Sequence, residues 1–309
     1  MKTLPLFYYP NTWVLVDDNH TVLNTMTEAF SKKCAVKSFL SSEECLRFLK
    51  NYISPLSKYN FIESDINDEN YGLSAKNPMN LDITKIAKLR EDKHRHHEIT
   101  VAILDYQMPI MNGLTLAERI QDFPIQKILL TGDITEIKAI EGFNKNLIQK
   151  FIQKSSVSML KDLDNYTEEL SSRYFEHLTK PILAHIEAEN KTALSDPVFI
   201  DFFEEHCRKN SIKEYYLVDK NGSFLCVDAE GKQSFLVVHT DKSMSEWLAV
   251  YKNELHLSDV NMVAISEYKK IPFFGIEKEA WQIPSDEWEK YFYTASTLMG
   301  REKYYFVVL

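Results

Sequence analysis

The sequence predicts an α/β protein: a doubly wound domain with a parallel five-stranded sheet, then a helical linker and a smaller α+β domain with an antiparallel sheet. Short apolar runs alternate with helical patterns over the first half of the 309 residues, which is typical of βαβ units. A long helical pattern follows, and the last third has strand-like runs around turn residues. We place the domains at 11–165, 166–196 and 197–309, with an insertion at about 51–98.

Five runs in the first domain predict strands, and the continuous apolar run Trp13–Val16 is typical of a strand that is buried on both faces. The five runs are Trp13–Val16, Ala35–Leu40, Thr100–Leu104, Lys127–Leu130 and Lys150–Gln153. Helical spacing between them predicts helices at Asn19–Lys33, Cys45–Leu49, Leu114–Asp122 and Thr135–Phe143. Ser41 or Ser42 can cap the second helix. Helical connections imply parallel strands, which place ligands at their carboxyl ends.

The segment from Asn51 to Glu98 interrupts this pattern, because it is polar and has little periodicity. We interpret it as a loop with one or two helices. It contains His94, His96 and His97. Metal binding is one interpretation of these histidines, but adjacent residues cannot all face one ion from a helix, so a solvated loop is favoured.

A long helix is expected after Lys154. Its apolar stripe favours a helix that packs on a core or pairs with its twin in a dimer. The stripe consists of Leu160, Leu163, Leu170, Tyr174, Leu178 and Ile182. Pro181 is expected to kink or break the helix.

The last domain begins with a helical pattern at Phe199–Cys207. Asn221-Gly222 then predicts a hairpin, since this pair accepts positive φ. The hairpin strands are Tyr215–Asp219 and Ser223–Val227, and Phe235–Val238 adds a third strand. We expect further elements at Ser243–Glu254 (helix), Met262–Ser266 (strand), Asp286–Tyr293 (helix) and Tyr304–Val308 (strand).

Charge and composition exclude several classes of protein. The chain has 36 Lys and Arg against 45 Asp and Glu, a net charge of −9, which argues against a chain that coats nucleic acid. Neither a membrane span nor the apolar segment of a signal peptide is visible, so a cytoplasmic protein without a membrane partner is expected. Cys34, Cys45, Cys207 and Cys226 form no Cys-x-x-Cys pair and are expected to be buried free thiols.

Acidic side chains follow two strands of the predicted parallel sheet. Asp17 and Asp18 follow the first strand, and Asp105 ends the third. Because these strand ends are neighbours, the three carboxylates converge, and such an oxygen-rich cluster suits Mg²⁺. Thr131 ends the fourth strand and Lys154 the fifth, adding a hydroxyl and a mobile positive charge for a phosphoryl group. These groups predict a phosphoryl-transfer site.

Four stretches, in this order, resemble the receiver domain of two-component response regulators. They are Val14–Asn19, Ile103–Gly113, Leu129–Gly132 and Phe151–Lys154. The second contains Asp-x-x-Met-Pro-x-Met-x-Gly, which is a specific signal. The resemblance covers about residues 11–165, without the insertion.

The resemblance implies that Asp105 accepts a phosphoryl group from a histidine kinase or phosphotransfer protein. Asp17 and Asp18 would hold Mg²⁺ together with Asp105 and the backbone carbonyl of Gln107. Gly132 would leave room for the phosphoryl donor. These roles agree with the chemistry, because a carboxylate that attacks phosphorus approaches an anion and needs a cation to neutralise it.

The resemblance further implies that Thr131 and Lys154 bind the phosphoryl oxygens and that Phe151 changes rotamer on activation. Lys150 is a nearby competitor for the lysine, but it lies within the strand. The family usually has a proline in a cis peptide after the lysine. Ser155 stands there instead, and a cis bond before serine costs about 2.5–4 kcal/mol, which favours the trans form.

The last domain is less informative about function. Residues 197–309 carry 13 basic and 18 acidic side chains, and neither a basic recognition helix nor a Gly-rich phosphate loop is visible. Its aromatic residues are more typical of a core than of a ligand cage. They include Tyr215, Tyr216, Phe224, Trp247, Phe273, Phe274, Trp281, Trp288 and Tyr304.

The leading hypothesis is therefore a response regulator, phosphorylated at Asp105, that acts through protein or ligand contacts of its last domain and forms a homodimer. The alternative is a DNA-binding transcriptional regulator with an unrecognised output fold. In the late position of Asp105, which follows from the insertion, the chain resembles quorum-sensing response regulators with a non-standard output domain. A third hypothesis, an enzyme in the C-terminal half, has no visible catalytic constellation, so we expect no activity beyond the receiver's own phosphorylation and dephosphorylation.

Overall fold

The computed structural model describes residues 3–64, 79–132, 141–189, 192–254, 259–276 and 280–309. The chain folds into two compact units. The first unit comprises Tyr9–Tyr59 and Asp92–Leu178, and the second comprises Met1–Tyr8, Asn60–Glu91 and Thr179–Leu309. Each unit thus combines stretches that are distant in sequence, and the domain boundaries proposed above stay a prediction.

The described residues contain strands and helices of both units, numbered here in chain order. The strands are β1 (Phe7–Tyr8), β2 (Thr12–Val16), β3 (Ala35–Phe39), β4 (Ile62–Ser64), β5 (Met79–Leu81), β6 (Ile99–Asp105), β7 (Gln126–Thr131), β8 (Lys150–Gln153), β9 (Ile212–Leu217), β10 (Phe224–Asp228), β11 (Gln233–Thr240), β12 (Lys270–Pro272), β13 (Phe292–Thr294), β14 (Ser296–Met299) and β15 (Lys303–Val308). The α-helices are α1 (His20–Phe30), α2 (Ser42–Lys50), α3 (Thr84–Lys88), α4 (Gly113–Arg119), α5 (Met159–Glu189), α6 (Pro197–Lys209), α7 (Asp241–Glu254) and α8 (Asp259–Ser266). Short 3-10 helices lie at Pro55–Lys58, Leu89–Glu91, Arg95–His97, Ala280–Gln282 and Ser285–Tyr291.

The first unit is built on a parallel five-stranded sheet in the order β3-β2-β6-β7-β8. Alternate residues of its strands enter two apolar clusters, one on each face. One cluster includes Val14, Leu104 and Leu129, and the other includes Leu15, Ile103 and Ile128. The predicted doubly wound sheet is confirmed. Burial on both faces explains why β2, β6 and β7 are largely apolar runs, whereas the edge strand β3 is largely exposed.

Polar caps start the helices that follow β2 and β3. The Asn19 side chain accepts hydrogen bonds from two backbone N–H groups at the start of α1. Ser41, one of the two predicted caps, accepts from the N–H of Glu44 at the start of α2. These caps satisfy N–H groups that have no partner inside the helix. The helix expected at Thr135–Phe143 lies mostly outside the described residues. The described residues that follow, 141–144, are helical.

Helix α5 is continuous from Met159 to Glu189, so the expected break at Pro181 is wrong. Pro181 lies on an exposed side of the helix, where water can hydrate the carbonyl that the missing N–H leaves without a partner. Just beyond it, Ile182, Leu183 and Ile186 are buried. Burial of these side chains favours the helical conformation over an interruption.

The second unit contains a six-stranded sheet in the order β1-β9-β10-β11-β15-β14, with antiparallel neighbours throughout. The predicted hairpin and third strand are β9, β10 and β11. Gly222 has a φ of +119° in the hairpin turn. The Asp219 carboxylate accepts hydrogen bonds from three successive N–H groups there. The predicted antiparallel sheet is thus confirmed.

Two elements of the second unit differ from the expectation. Met262–Ser266, expected as a strand, belongs to helix α8. A short apolar run is compatible with either conformation, and the helix buries Ile265 while Val263 stays 55% exposed. The helix expected at Asp286–Tyr293 is a 3-10 helix, Ser285–Tyr291, followed by strand β13.

The four cysteines are free thiols, with Cys45 and Cys226 buried and Cys34 and Cys207 partly buried. Burial raises the pKa of Cys45 to about 12, so this thiol stays protonated at neutral pH. Within the described ranges, no helix is both long enough and apolar enough to cross a bilayer.

Candidate functional site

Three carboxylates meet at the carboxyl end of the parallel sheet. Asp17 and Asp18 follow β2 and Asp105 ends β6, and these strands are paired neighbours. One carboxylate oxygen from each residue lies within 4.8 Å of the other two. Asp17 and Asp105 are 0% and 2% exposed, while Asp18 is exposed. The structure thus brings together the three acids that the sequence predicts to converge.

Lys154 reaches into this acidic cluster. Its Nζ lies 2.6 Å from Oδ2 of Asp17 and 3.0 Å from Oδ1 of Asp105. Its backbone N–H donates to the carbonyl of Thr131 at 2.7 Å, which ties the end of β8 to β7. Burial by itself would lower the pKa of Lys154, but the two carboxylates outweigh burial and raise it. The lysine is therefore held in its charged form between two acids.

The competing Lys150 lies elsewhere. Its Nζ pairs with Glu169 at 2.8 Å and sits 4.4 Å from the centre of the Tyr166 ring. Lys154 is thus the lysine of the acidic cluster. The described residues contain no cis peptide bond, so the Lys154–Ser155 bond is trans.

Asp105 combines burial with contacts that favour its charged form. Burial raises its pKa, and this effect exceeds the opposing effects of Lys154 and of a hydrogen bond from the Gln107 backbone N–H. The nearby charge of Asp17 also raises the pKa. Two buried carboxylates at this distance repel each other, so a further cation at the site would be stabilised.

Thr131 presents a buried hydroxyl at the end of β7. Its side chain is fully buried, and among the described residues Oγ1 has no hydrogen-bond partner. Leaving such a group without a partner costs about 1–3 kcal/mol, so the hydroxyl is suited to bind an oxygen atom of a ligand. At the next position, a Cβ on Gly132 would meet none of the described atoms within 4 Å.

The loop after Asp105 explains the spacing of the Met-Pro-x-Met-x-Gly pattern. Met108 and Met111 are buried in one of the apolar clusters of the sheet. Between them Ile110 is 94% exposed and has a φ of +67°. Gly113 packs against the backbone carbonyl of Asp105, and a Cβ atom at position 113 would overlap the carbonyl oxygen. The two methionines and the glycine thus hold the loop beside Asp105.

Asn19 was not assigned to the site from the sequence. Its backbone N–H donates to Oδ1 of Asp17 at 2.9 Å while its side chain caps α1. The position directly after Asp17 and Asp18, at a helix start, was the available signal. Phe151 lies in β8 opposite Leu129 and is partly buried.

The donor set fits a hard divalent cation. Three carboxylate oxygens converge, two of them on the buried side chains of Asp17 and Asp105, and oxygen ligands are those that Mg²⁺ prefers. Among the described residues, the histidines of the insertion do not form a comparable group. His94 and His97 instead have ring centroids 5.5 Å apart beside a 3-10 helix.

The parallel sheet and the residues at its carboxyl end define the first unit as a receiver domain of the response-regulator type. Over its whole length the chain is similar to the structure of the Legionella pneumophila response regulator LqsR, with 26% sequence identity and a TM-score of 0.78. That match covers 100% of this chain and 90% of the Legionella chain.

Receiver domains from other organisms match about half of the chain. A CheY-like receiver domain protein from Methanospirillum hungatei has 14% identity and a TM-score of 0.37, covering 54% of this chain and 98% of its own. The signal receiver domain of a putative Luxo repressor from Vibrio parahaemolyticus also has 14% identity and a TM-score of 0.37, covering 55% and 97%. No family model and no curated protein matches the chain.

Proposed function

We propose that this chain is a response regulator of a two-component phosphorelay in which Asp105 accepts a phosphoryl group from a histidine kinase or phosphotransfer protein. The observation that carries the proposal is the position of Asp105. Its side chain is buried at the carboxyl end of the parallel sheet, and the Lys154 ammonium lies 3.0 Å from its carboxylate. A cytoplasmic location is part of this proposal.

In the transfer, a carboxylate oxygen of Asp105 attacks phosphorus, the bond between phosphorus and the donor atom breaks, and an acyl phosphate forms. Mg²⁺, held by Asp17, Asp18, Asp105 and the Gln107 carbonyl, would supply charge neutralisation. The same role requires Asp105 to be ionised. Burial raises the pKa of Asp105, so a cation bound beside it would stabilise the charged form that the attack needs.

The remaining groups of the site would bind the phosphoryl oxygens. The Lys154 ammonium contacts Asp105 and can follow a phosphoryl oxygen as a mobile positive charge. The hydroxyl of Thr131 lacks a partner among the described residues and can donate to a second oxygen. Movement of Thr131 toward the phosphoryl group would free space for Phe151 to change rotamer. This change would be the first step in transmitting the phosphorylated state to the second unit.

The relay would reach the second unit by protein or ligand contacts. Helix α5 begins at Met159, shortly after Lys154, and its residues belong to the first unit up to Leu178 and to the second from Thr179 onwards. The chain itself therefore provides a connection for the signal.

The homodimer stays a prediction. The apolar stripe of α5 does not support it, because Leu163 and Leu170 pack in the core of the first unit and Tyr174 is buried. Val157 and Leu160 are exposed at the start of the helix. A dimer contact on this side would use these two residues, and sedimentation with and without phosphorylation would detect it.

Acetyl phosphate with Mg²⁺ provides a direct test of phosphorylation. Intact-mass measurement should show one phosphoryl group on the wild-type protein and none on Asp105→Asn. Asp17→Asn and Asp18→Asn should weaken the Mg²⁺ dependence and slow the transfer. Asp122→Asn makes the same charge change at an exposed residue of the first unit and should label like the wild type. Equal labelling of Asp105→Asn would overturn the proposal.

A further inference from the structure

The second unit contains a cavity of about 730 Å³ that the phosphorelay does not use. Its lining comes from two parts of the unit: several residues of 84–91, and described residues of the antiparallel sheet and of the segments that follow it, from Val218 to Ile276, with Ala280. Sites for small molecules typically measure roughly 300–1,000 Å³ and combine apolar walls with a few polar groups. The cavity has the size and the mixed lining of such a site.

One wall of the cavity is aromatic. Trp247, Phe273 and Phe274 line it and are only partly buried. The ring centroids of Trp247 and Phe274 are 5.6 Å apart, and their planes are tilted by 34°. The sequence favours a core role for these residues. Their incomplete burial leaves ring surface that a planar ligand can cover.

A second wall carries positive charge. Lys88, the last residue of α3, is exposed and makes no ion pair with any described residue. Arg90 is partly buried and donates one N–H to the Gln233 side chain at 2.6 Å. Its planar guanidinium has five N–H donors, so most of them stay available to a carboxylate or sulfonate.

The acids of the lining do not neutralise these cations. Glu91 is 68% exposed at its side chain, and its carboxylate lies 4.0 Å from Arg90. One carboxylate oxygen of Asp219 accepts hydrogen bonds from the backbone N–H groups of residues 221, 222 and 223, at 2.8–3.1 Å. The positive wall is therefore the part of the lining with free capacity to bind an anion.

Catalysis is not indicated, although His239 lines the cavity and lies within hydrogen-bond distance of Ser243. His239 Nδ1 is 3.0 Å from the Ser243 hydroxyl, and its Nε2 is 3.0 Å from the Pro272 carbonyl. With Nε2 bound to a carbonyl, Nδ1 accepts from the serine. A nucleophilic serine would need its histidine oriented by an acid at the other nitrogen, so this pair is structural.

We propose that this cavity binds a small planar aromatic anion, a carboxylate or sulfonate carried on one or two fused rings. Its rings would contact Trp247 and Phe274, and its acid group would bind Lys88 and Arg90. This binding would give the second unit a ligand input of its own. The proposal does not depend on phosphorylation of Asp105.

Two fluorescent probes of similar shape and different charge test it: the anion 8-anilinonaphthalene-1-sulfonate and its neutral analogue N-phenyl-1-naphthylamine. Titration of the full-length protein should show saturable binding of the sulfonate at one site, at least fivefold tighter than the neutral probe. Lys88→Gln and Arg90→Gln should each weaken sulfonate binding about fivefold and leave the neutral probe unchanged. Phe274→Ala should weaken binding of both probes.

Matched variants control for the loss of charge and for binding at a second cavity. Lys85→Gln makes the same charge change on the same helix, at a residue that donates to the Asn60 carbonyl and does not line the cavity. Ile53→Ser alters a second cavity, of about 640 Å³, in the first unit. Both should fold and should bind the probes like the wild type. Equal affinities for the two probes, or a loss of sulfonate binding in a control variant as large as in Lys88→Gln, would overturn the proposal.

Discussion

Gly113 packs directly on the carbonyl oxygen of Asp105, with no room between them for a Cβ atom. Its N–H also donates to the carbonyl of Tyr106 at 3.2 Å. The first residue of α4 therefore determines where the backbone of the proposed phosphoacceptor lies. Any side chain at position 113 must displace either α4 or the end of β6.

Gly113→Ala should lower the free energy of unfolding by about 1–3 kcal/mol, which is the usual cost of overpacking. It should also slow labelling of Asp105 by acetyl phosphate, because the carboxylate moves with its backbone. For the effect on stability, Gly132→Ala is the matched control. A Cβ there meets none of the described atoms within 4 Å, so its unfolding free energy should change by less than about 0.5 kcal/mol. Equal effects in urea unfolding would contradict this close packing.

Lys127 should make stability depend on pH in the alkaline range. It is 4% exposed, donates to the Ile125 carbonyl at 3.0 Å, and has a pKa lowered by burial to about 8. Below pH 8 both folded and unfolded chains carry the charge, and the cost of burying it is about 3 kcal/mol. Between pH 8 and 10.5 only the folded state loses the proton, so stability rises with pH.

Lys127→Met should therefore be more stable than the wild type at pH 7, by about 1–3 kcal/mol after the lost hydrogen bond is subtracted. The advantage should shrink as the pH is raised from 8 to 10, since the wild type gains stability there and the variant does not. Urea unfolding of both proteins across this range measures the difference. An advantage that is constant with pH would show that Lys127 does not change its charge on folding.

Lys154 should compete with a divalent cation for the acidic cluster. Its ammonium contacts both Asp17 and Asp105, so a metal ion entering between these carboxylates must displace it or be repelled by it. Lys154→Met should bind Mg²⁺ severalfold more tightly than the wild type, yet should be labelled poorly by acetyl phosphate. Calorimetry measures the first effect and intact mass the second. Weaker Mg²⁺ binding in Lys154→Met would contradict the competition.

Asp196 should be a major contributor to the stability of the second unit. It is buried, caps α6 by accepting from the N–H of Val198 at 2.9 Å, and accepts from the Tyr304 hydroxyl at 2.9 Å and from the N–H of Arg301. Asp196→Ala removes the acceptor of all three hydrogen bonds and should cost about 2–4 kcal/mol. Tyr304→Phe removes one donor and should cost about 1 kcal/mol. Similar costs in thermal unfolding would refute this ranking.

Asp196 should also make the protein less stable in acid. Burial would raise the pKa of Asp196, but the hydrogen bonds it accepts outweigh burial and lower the pKa. Its contribution is therefore complete above the unfolded pKa of about 3.9 and is lost as the pH falls through the folded value. Asp196→Ala should lack this part of the acid dependence.

Most of the first unit could be predicted from the sequence, because its strands and helices are determined by patterns within short segments of the chain. Strands buried on both faces are continuous apolar runs, and the helices between them force parallel pairing. That pairing alone brings Asp17, Asp18 and Asp105 to one edge. The Asn221-Gly222 turn is equally local, since its need for positive φ selects the residues.

Contacts between distant segments were decided by the tertiary structure. The two residues of β1 pair with β9 more than 200 positions later in the chain, and residues 84–91 contribute the positive wall of a cavity in the second unit. Whether Pro181 interrupts a helix, or Met262–Ser266 forms a strand, depended on which side chains became buried. Local periodicity determines which face of a segment is apolar, but not which distant surface will cover it, and burial by that surface is the larger free-energy term.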